Sequence, residues 1–112
     1  MPERGRPVGV DRSVLEQRYR ELVRVELPAA ARTGSWRLRE DHCFGRVLID
    51  DAVGACWYDV LDRRRTAFLQ LSDDQLAGAV ALAERLLVEG DPLLAELDGA
   101  SLAWRGKPAK RR

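Results

Sequence analysis

From Ser72 to Leu94 the sequence reads SDDQLAGAVALAERLLVEGDPLL, and this stretch prescribes a helix, both of its ends and the start of another. Ser72 and Gln75 have capping-box spacing: the hydroxyl accepts the Gln75 amide proton while the Gln75 side chain reaches back to the residue 72 amide. Asp73 and Asp74 complement the positive end of the helix. Leu76, Ala79, Val80, Ala83, Leu86 and Leu87 then recur at the spacing of one helical face. Gly90 tolerates the left-handed conformation that closes a helix. Asp91 is expected to cap the next helix, with Pro92 in its first turn, where a missing amide proton is harmless. That helix is predicted to run to about Arg105, with Leu93, Leu94, Leu97, Leu102 and Trp104 as its apolar set.

The remainder of the chain follows the same grammar. Asp11 can cap a helix over residues 12–26 whose stripe is Val14, Leu15, Tyr19, Leu22 and Val23. Pro28 clashes with the carbonyl four residues back in a regular helix, so a kink or a short second piece ending at Gly34 is expected. A connector, TGSWRLRE, offers Trp36 and Leu38 to the core. Asp41 is the expected N-cap of a helix carrying Phe44, Val47, Leu48 and Ala52, with Cys43 and Ala55 at its margin, and Gly54 ends it or admits a neighbouring helix. Helical spacing continues through ACWYDVLD, and RRRTAFLQL is a loop anchored by Phe68, Leu69 and Leu71. Strand signals are almost absent. The prediction is an all-α, compact bundle of four to five short helices, with one domain over residues 11–106, a flexible N-terminus over 1–10 and a disordered basic tail over 107–112.

At 112 residues the chain holds one modest core. The opening MPERGRPVGV lacks the apolar segment of a signal peptide. No apolar run approaches the roughly 20 residues needed to cross a bilayer. Cys43 and Cys56 therefore read as reduced thiols of a cytoplasmic protein, packed as small core residues. Of the 19 basic residues only Lys107 and Lys110 are lysine, a bias that GC-rich coding produces without a nucleic-acid partner. The ending RGKPAKRR carries five bases, which leaves 14 bases against 18 acids, a net −4, on residues 1–104. Together with DRRR at 62–65 this tail could neutralise phosphates, but no helix shows a continuous basic face, so nucleic-acid binding is not the favoured reading.

Chemistry is concentrated in REDHCFGRVLIDD, residues 39–51, which holds the only histidine of the chain. On a helix, His42, Arg46 and Asp50 share one face, with Arg39 a turn earlier. Arg39 and Arg46 could bind an anion, His42 could act as acid or base, and Asp50 could orient them. The plain alternative is an Arg46–Asp50 ion pair on a solvated face. A His42–Cys43 nucleophilic pair is geometrically poor, because adjacent helical side chains diverge by about 100°. Two cysteines thirteen positions apart make no zinc motif, and there is no phosphate loop. No cofactor or metal is implied. Trp36, Trp57 and Trp104 could all be core; exposed beside Tyr58 and the arginine run, they would instead mark a partner surface.

The stretch DHCFGRVLIDDAVGACW and the ending LDGASLAWRGK together resemble a group of small bacterial proteins with an aspartate-histidine-cysteine-phenylalanine motif and a serine-leucine-x-x-arginine-glycine-lysine ending. The resemblance covers roughly residues 36–107. Asp41, His42, Cys43, Phe44 and Arg46 match the first motif; Ser101, Leu102, Arg105, Gly106 and Lys107 match the second. Asp51 stands where asparagine is expected. Members often carry an acetyltransferase-related name, which would imply acyl transfer. That fold requires an extended sheet and a glycine-bearing loop for the coenzyme A pyrophosphate, and this sequence has neither. The sequence reading is an accessory protein that docks on a protein partner, whether a larger enzyme or another copy. A small enzyme using His42 is the first alternative, and a phosphate-backbone binder is the second.

Overall fold

The computed structural model describes residues 11–106. The expected flexible N-terminus and the basic tail, with Lys107, lie outside the described residues. Five α-helical segments follow in order: α1 Arg12–Glu21, α2 Leu27–Gly34, α3 Asp41–Val53, α4 Asp73–Glu89 and α5 Asp91–Trp104. No strand occurs among the described residues, and the all-α bundle expected from the sequence is what forms.

The kink expected at Pro28 is resolved differently. Residues Leu22–Glu26 form a π turn, and the Leu27 amide donates to the Leu22 carbonyl five residues back. A regular helix would drive the Pro28 ring into the Arg24 carbonyl. The widened turn just ahead of the proline lets α1 and α2 continue as one rod. Gly34 is the last residue of α2, but Ser35, at φ 57°, takes the left-handed position beyond it. Gly34 is small for another reason: a Cβ there would come within 2.6 Å of the Trp36 indole nitrogen.

That indole pins the connector as expected. Trp36 is buried and meets Phe44 edge-on, with ring centroids 6.3 Å apart. Arg37 fastens the same connector to α5, its amide donating to Asp91 Oδ1 at 3.0 Å and its guanidinium donating to both carboxylate oxygens. Asp91 is therefore the first residue of α5, with Gly90 as its cap. Glu40 likewise precedes α3 in place of Asp41, which begins the helix.

Helix α4 is the hub, packing against both α1 and α3, and α3 packs in turn on α5. The Ser72–Gln75 box closes in both directions. Ala79 and Ala83, both buried, let the flanking helices approach, and Leu22, Leu27, Phe44, Leu48, Leu76, Leu86 and Leu94 fill the centre without exposure. Burying leucine or phenylalanine side chains in this way stabilises by about 1.5–3 kcal/mol each before entropy is counted.

Between α3 and α4 the helical spacing of ACWYDVLD yields only one 3₁₀ turn, Trp57–Asp59, and a second forms at Phe68–Gln70. The loop between them is closed by Gln70, which accepts the Asp62 amide at 2.9 Å and donates to the Asp62 carbonyl at 2.9 Å. Arg12 secures the second turn from α1 by donating to the carbonyls of Phe68, Leu69 and Leu71. Phe68 and Leu71 are buried anchors, while Leu69 is exposed.

Candidate functional site

A cleft of about 520 Å³ opens between the π turn, the first half of α3 and the two 3₁₀ turns. It lies within the roughly 300–1,000 Å³ typical of ligand-binding clefts. Its apolar floor comprises Val23, Ile49 and the rings of Tyr19 and Phe68, which stack with centroids 4.6 Å apart. The Arg12 clamp on the carbonyls around Phe68 thus fixes one of the floor's two aromatic rings.

One wall is an ionic knot tying α3 to α5. Asp50 is fully buried. Its carboxylate accepts from the Trp57 amide at 2.9 Å, the Ser101 hydroxyl at 2.6 Å, Arg105 Nε at 2.9 Å and Arg105 Nη2 at 3.1 Å. Arg46 closes the circuit, donating to Ser101 Oγ at 2.7 Å and to Asp98 Oδ1 at 2.6 Å. The paired Asp50 holds the Arg105 guanidinium above its ordinary pKa despite burial. Bidentate geometry and full satisfaction are what a buried ion pair requires to be tolerated. The expected Arg46–Asp50 ion pair is not formed: each finds its counter-charge on α5 or just beyond it.

The rim is aromatic and cationic. Tyr58 is 43% exposed. Its ring meets two guanidiniums, Arg63 at 4.2 Å and Arg105 at 4.7 Å from the centroid. Trp57 stands edge-on to it at 4.8 Å. Of the three tryptophans only Trp36 is core; Trp57 is partly exposed and Trp104 is 41% exposed.

His42 and Asp41 also line the cleft. The imidazole is 79% exposed, with Nδ1 at 3.9 Å from Asp41 Oδ1, and among the described residues it makes no hydrogen bond to the Cys43 thiol. Cys43 is half-buried and Cys56 buried, both as free thiols. Arg39 is exposed, does not line the cleft and donates to the Trp36 carbonyl at 3.3 Å. Of the predicted site residues, the fold gathers Asp41, His42, Arg46, Trp57, Tyr58 and Arg105 around one opening, puts Asp50 behind its wall and sends Arg39 elsewhere.

Three contributors escaped sequence reading. Tyr19 counted only as a member of the apolar stripe, Arg24 lay on the polar side of a regular helix, and Ser101 carried no site signal beyond its place in the second motif. Val23 and Arg24 belong to the π turn that borders the cleft, and π turns are frequent at functional positions.

The two stretches DHCFGRVLIDDAVGACW and LDGASLAWRGK meet here, since Arg46 and Asp50 of the first bond to Asp98, Ser101 and Arg105 of the second. No family model matches the chain, and no curated protein or solved structure does so.

Proposed function

We propose that this protein is a docking module whose cleft rim receives an acidic segment of a partner protein. The observation that carries this reading is Tyr58, held open between the guanidiniums of Arg63 and Arg105 with Trp57 at its edge. A ring braced on two sides loses little freedom on binding. Tyrosine, tryptophan and arginine are also the residues most often responsible for interface affinity. Arg105 is neutralised by Asp50, but Arg63 has no ion pair among the described residues, and its charge favours an acidic partner over a basic one.

The alternative, in which His42 is an acid or base and Arg39 and Arg46 hold an anion, draws less support. Arg46 is occupied by Asp98 and Ser101, Arg39 lies off the cleft, and Asp50 is engaged with Arg105 instead of the imidazole.

Selection from a random peptide display library against the full chain tests the docking reading. Peptides with acidic residues flanking an apolar side chain should be enriched, and their binding should fall at least tenfold with Tyr58→Ala while thermal stability is retained. No enrichment, or equal binding to Tyr58→Ala, refutes it.

A further inference from the structure

Inside the rim, the floor of the cleft presents a polar atom with nothing to bond. Tyr19 is 4% exposed, yet its hydroxyl has no hydrogen-bond partner among the described residues. Every buried polar side-chain atom in the described residues is satisfied, so this hydroxyl must emerge on the cleft that Tyr19 lines. Gly45 keeps the space beside it open: a Cβ at that position would lie 3.9 Å from the hydroxyl oxygen.

The charge of the cleft points the same way. Arg46 is neutralised by Asp98 and Arg105 by Asp50. Arg24, exposed and also lining the cleft, has no ion pair among the described residues, and it lies near enough to Tyr19 to act on its ionisation. One uncompensated cation with a phenolic donor nearby suits a single negative charge with acceptor oxygens. Asp41, on the same cleft beside His42, disfavours a second negative charge. The floor of Val23, Ile49 and the Tyr19–Phe68 pair suits a flat apolar body.

We infer that the inner cleft is a binding site for a small aromatic carboxylate, with its ring on the apolar floor and its carboxylate accepting hydrogen bonds from the Tyr19 hydroxyl and Arg24. This subsite is separate from the Tyr58 rim and goes beyond the docking reading. A monocarboxylate is preferred to a phosphate dianion because Arg24 is the one unpaired guanidinium lining the cleft among the described residues, Arg20 being laid over the Phe68 ring outside that lining, and Asp41 opposes the second charge.

The test is a titration of the full-length chain, followed by amide NMR shifts, with phenylacetate, its neutral isostere phenylacetamide and phenyl phosphate. Phenylacetate should shift the Arg24 and Gly45 amides saturably, with a fragment-like affinity on the order of 1 mM. Phenylacetamide should bind at least tenfold more weakly, and phenyl phosphate no more tightly than phenylacetate. Tyr19→Phe should weaken phenylacetate about threefold to tenfold, Arg24→Gln about tenfold or more, and Tyr58→Ala less than twofold.

Gly45→Leu, which fills the space beside the hydroxyl, should abolish binding; Tyr19→Phe, which keeps the ring, supplies the same test should that variant not fold. Equal binding of the neutral amide, tighter binding of phenyl phosphate, unchanged affinity in Tyr19→Phe and Arg24→Gln, or no shift at Arg24 and Gly45 would each overturn the inference. Loss of peptide binding in Tyr58→Ala with phenylacetate binding retained separates this subsite from the rim. Phenylacetate binding without any peptide enrichment would leave the subsite standing and remove the docking reading.

Discussion

Arg105 and Arg24 line the same cleft under opposite conditions. Arg105 is 12% exposed, forked onto a fully buried carboxylate and laid against Tyr58. Arg24 is exposed and has no counter-charge among the described residues. The same side chain is in one place a brace between helices and in the other a charge left for a ligand. The difference lies in the neighbours: α5 brings Ser101 and Arg105 to Asp50, while the π turn brings Arg24 beside an open phenol. Substitutions on the two sides should therefore have unlike consequences, large for stability on the first and near zero on the second.

The largest effect is expected for Asp50→Ala. It strips acceptors from Arg105, Ser101 and the Trp57 amide at once, and breaking a buried pair by removing one partner costs about 3–5 kcal/mol. Urea unfolding followed by circular dichroism should show the midpoint collapse; a midpoint near that of the unaltered protein would mean that the knot is no brace. Ser101→Ala leaves Asp50 with Arg105 and the Trp57 amide but removes a hydroxyl bridging Asp50 and Arg46, for a loss of about 1–3 kcal/mol.

Elsewhere on α3 the sign should reverse. Gly45 lies inside α3, and the nearest atom to an added methyl is at ordinary contact distance. Gly45→Ala should therefore raise stability by about 0.5–1 kcal/mol, and a drop would show the open space to be structural.

The exposed Arg37–Asp91 pair provides an intermediate case with a pH signature. Hydrogen bonds from Arg37 hold the Asp91 carboxyl below its ordinary value. Its contribution is thus complete above the unfolded value near pH 4 and disappears as pH falls through the lower folded value. At neutral pH, Arg37→Gln should lower stability only slightly, as expected of an exposed pair, and the difference from the unaltered protein should close in acid. A difference that persisted at pH 2 would assign the effect to packing of the connector. Smallest of all, Tyr19→Phe and Arg24→Gln should change unfolding free energy by no more than about 0.5 kcal/mol. Any larger loss would turn Arg24 into a second Arg105.

What sequence could reveal followed the range of the interaction. The Ser72–Gln75 box joins residues three apart, and both of its hydrogen bonds could be read directly. Trp36 and Leu38 stood out as apolar residues in a polar connector, and both pack on the core. Asp50 was visible as a polar residue at helical spacing from Arg46, but its partners lie 51 and 55 positions away, so periodicity offered the wrong counter-charge. The π turn was illegible because Pro28 demands only a break in regular winding; the form of that break is tied to the packing of Leu22 and Val23 against the bundle. The spacing in ACWYDVLD overstated the single turn at Trp57–Asp59, whose first amide is held by Asp50 from α3. Tyr19 was read for its ring alone, and whether a hydroxyl is satisfied depends on surroundings that spacing does not encode.

The widened turn at Leu22–Glu26 behaves as one surplus residue in an otherwise regular rod. Excising a single residue there would restore ordinary winding with Tyr19 and the Leu27–Ala31 face still in phase, but the Pro28 ring would then meet the carbonyl four residues back. The rod would have to bend or open at that point. A length change of one residue, neutral in most loops, would here exchange the widened turn for a kink in the wall of the cleft.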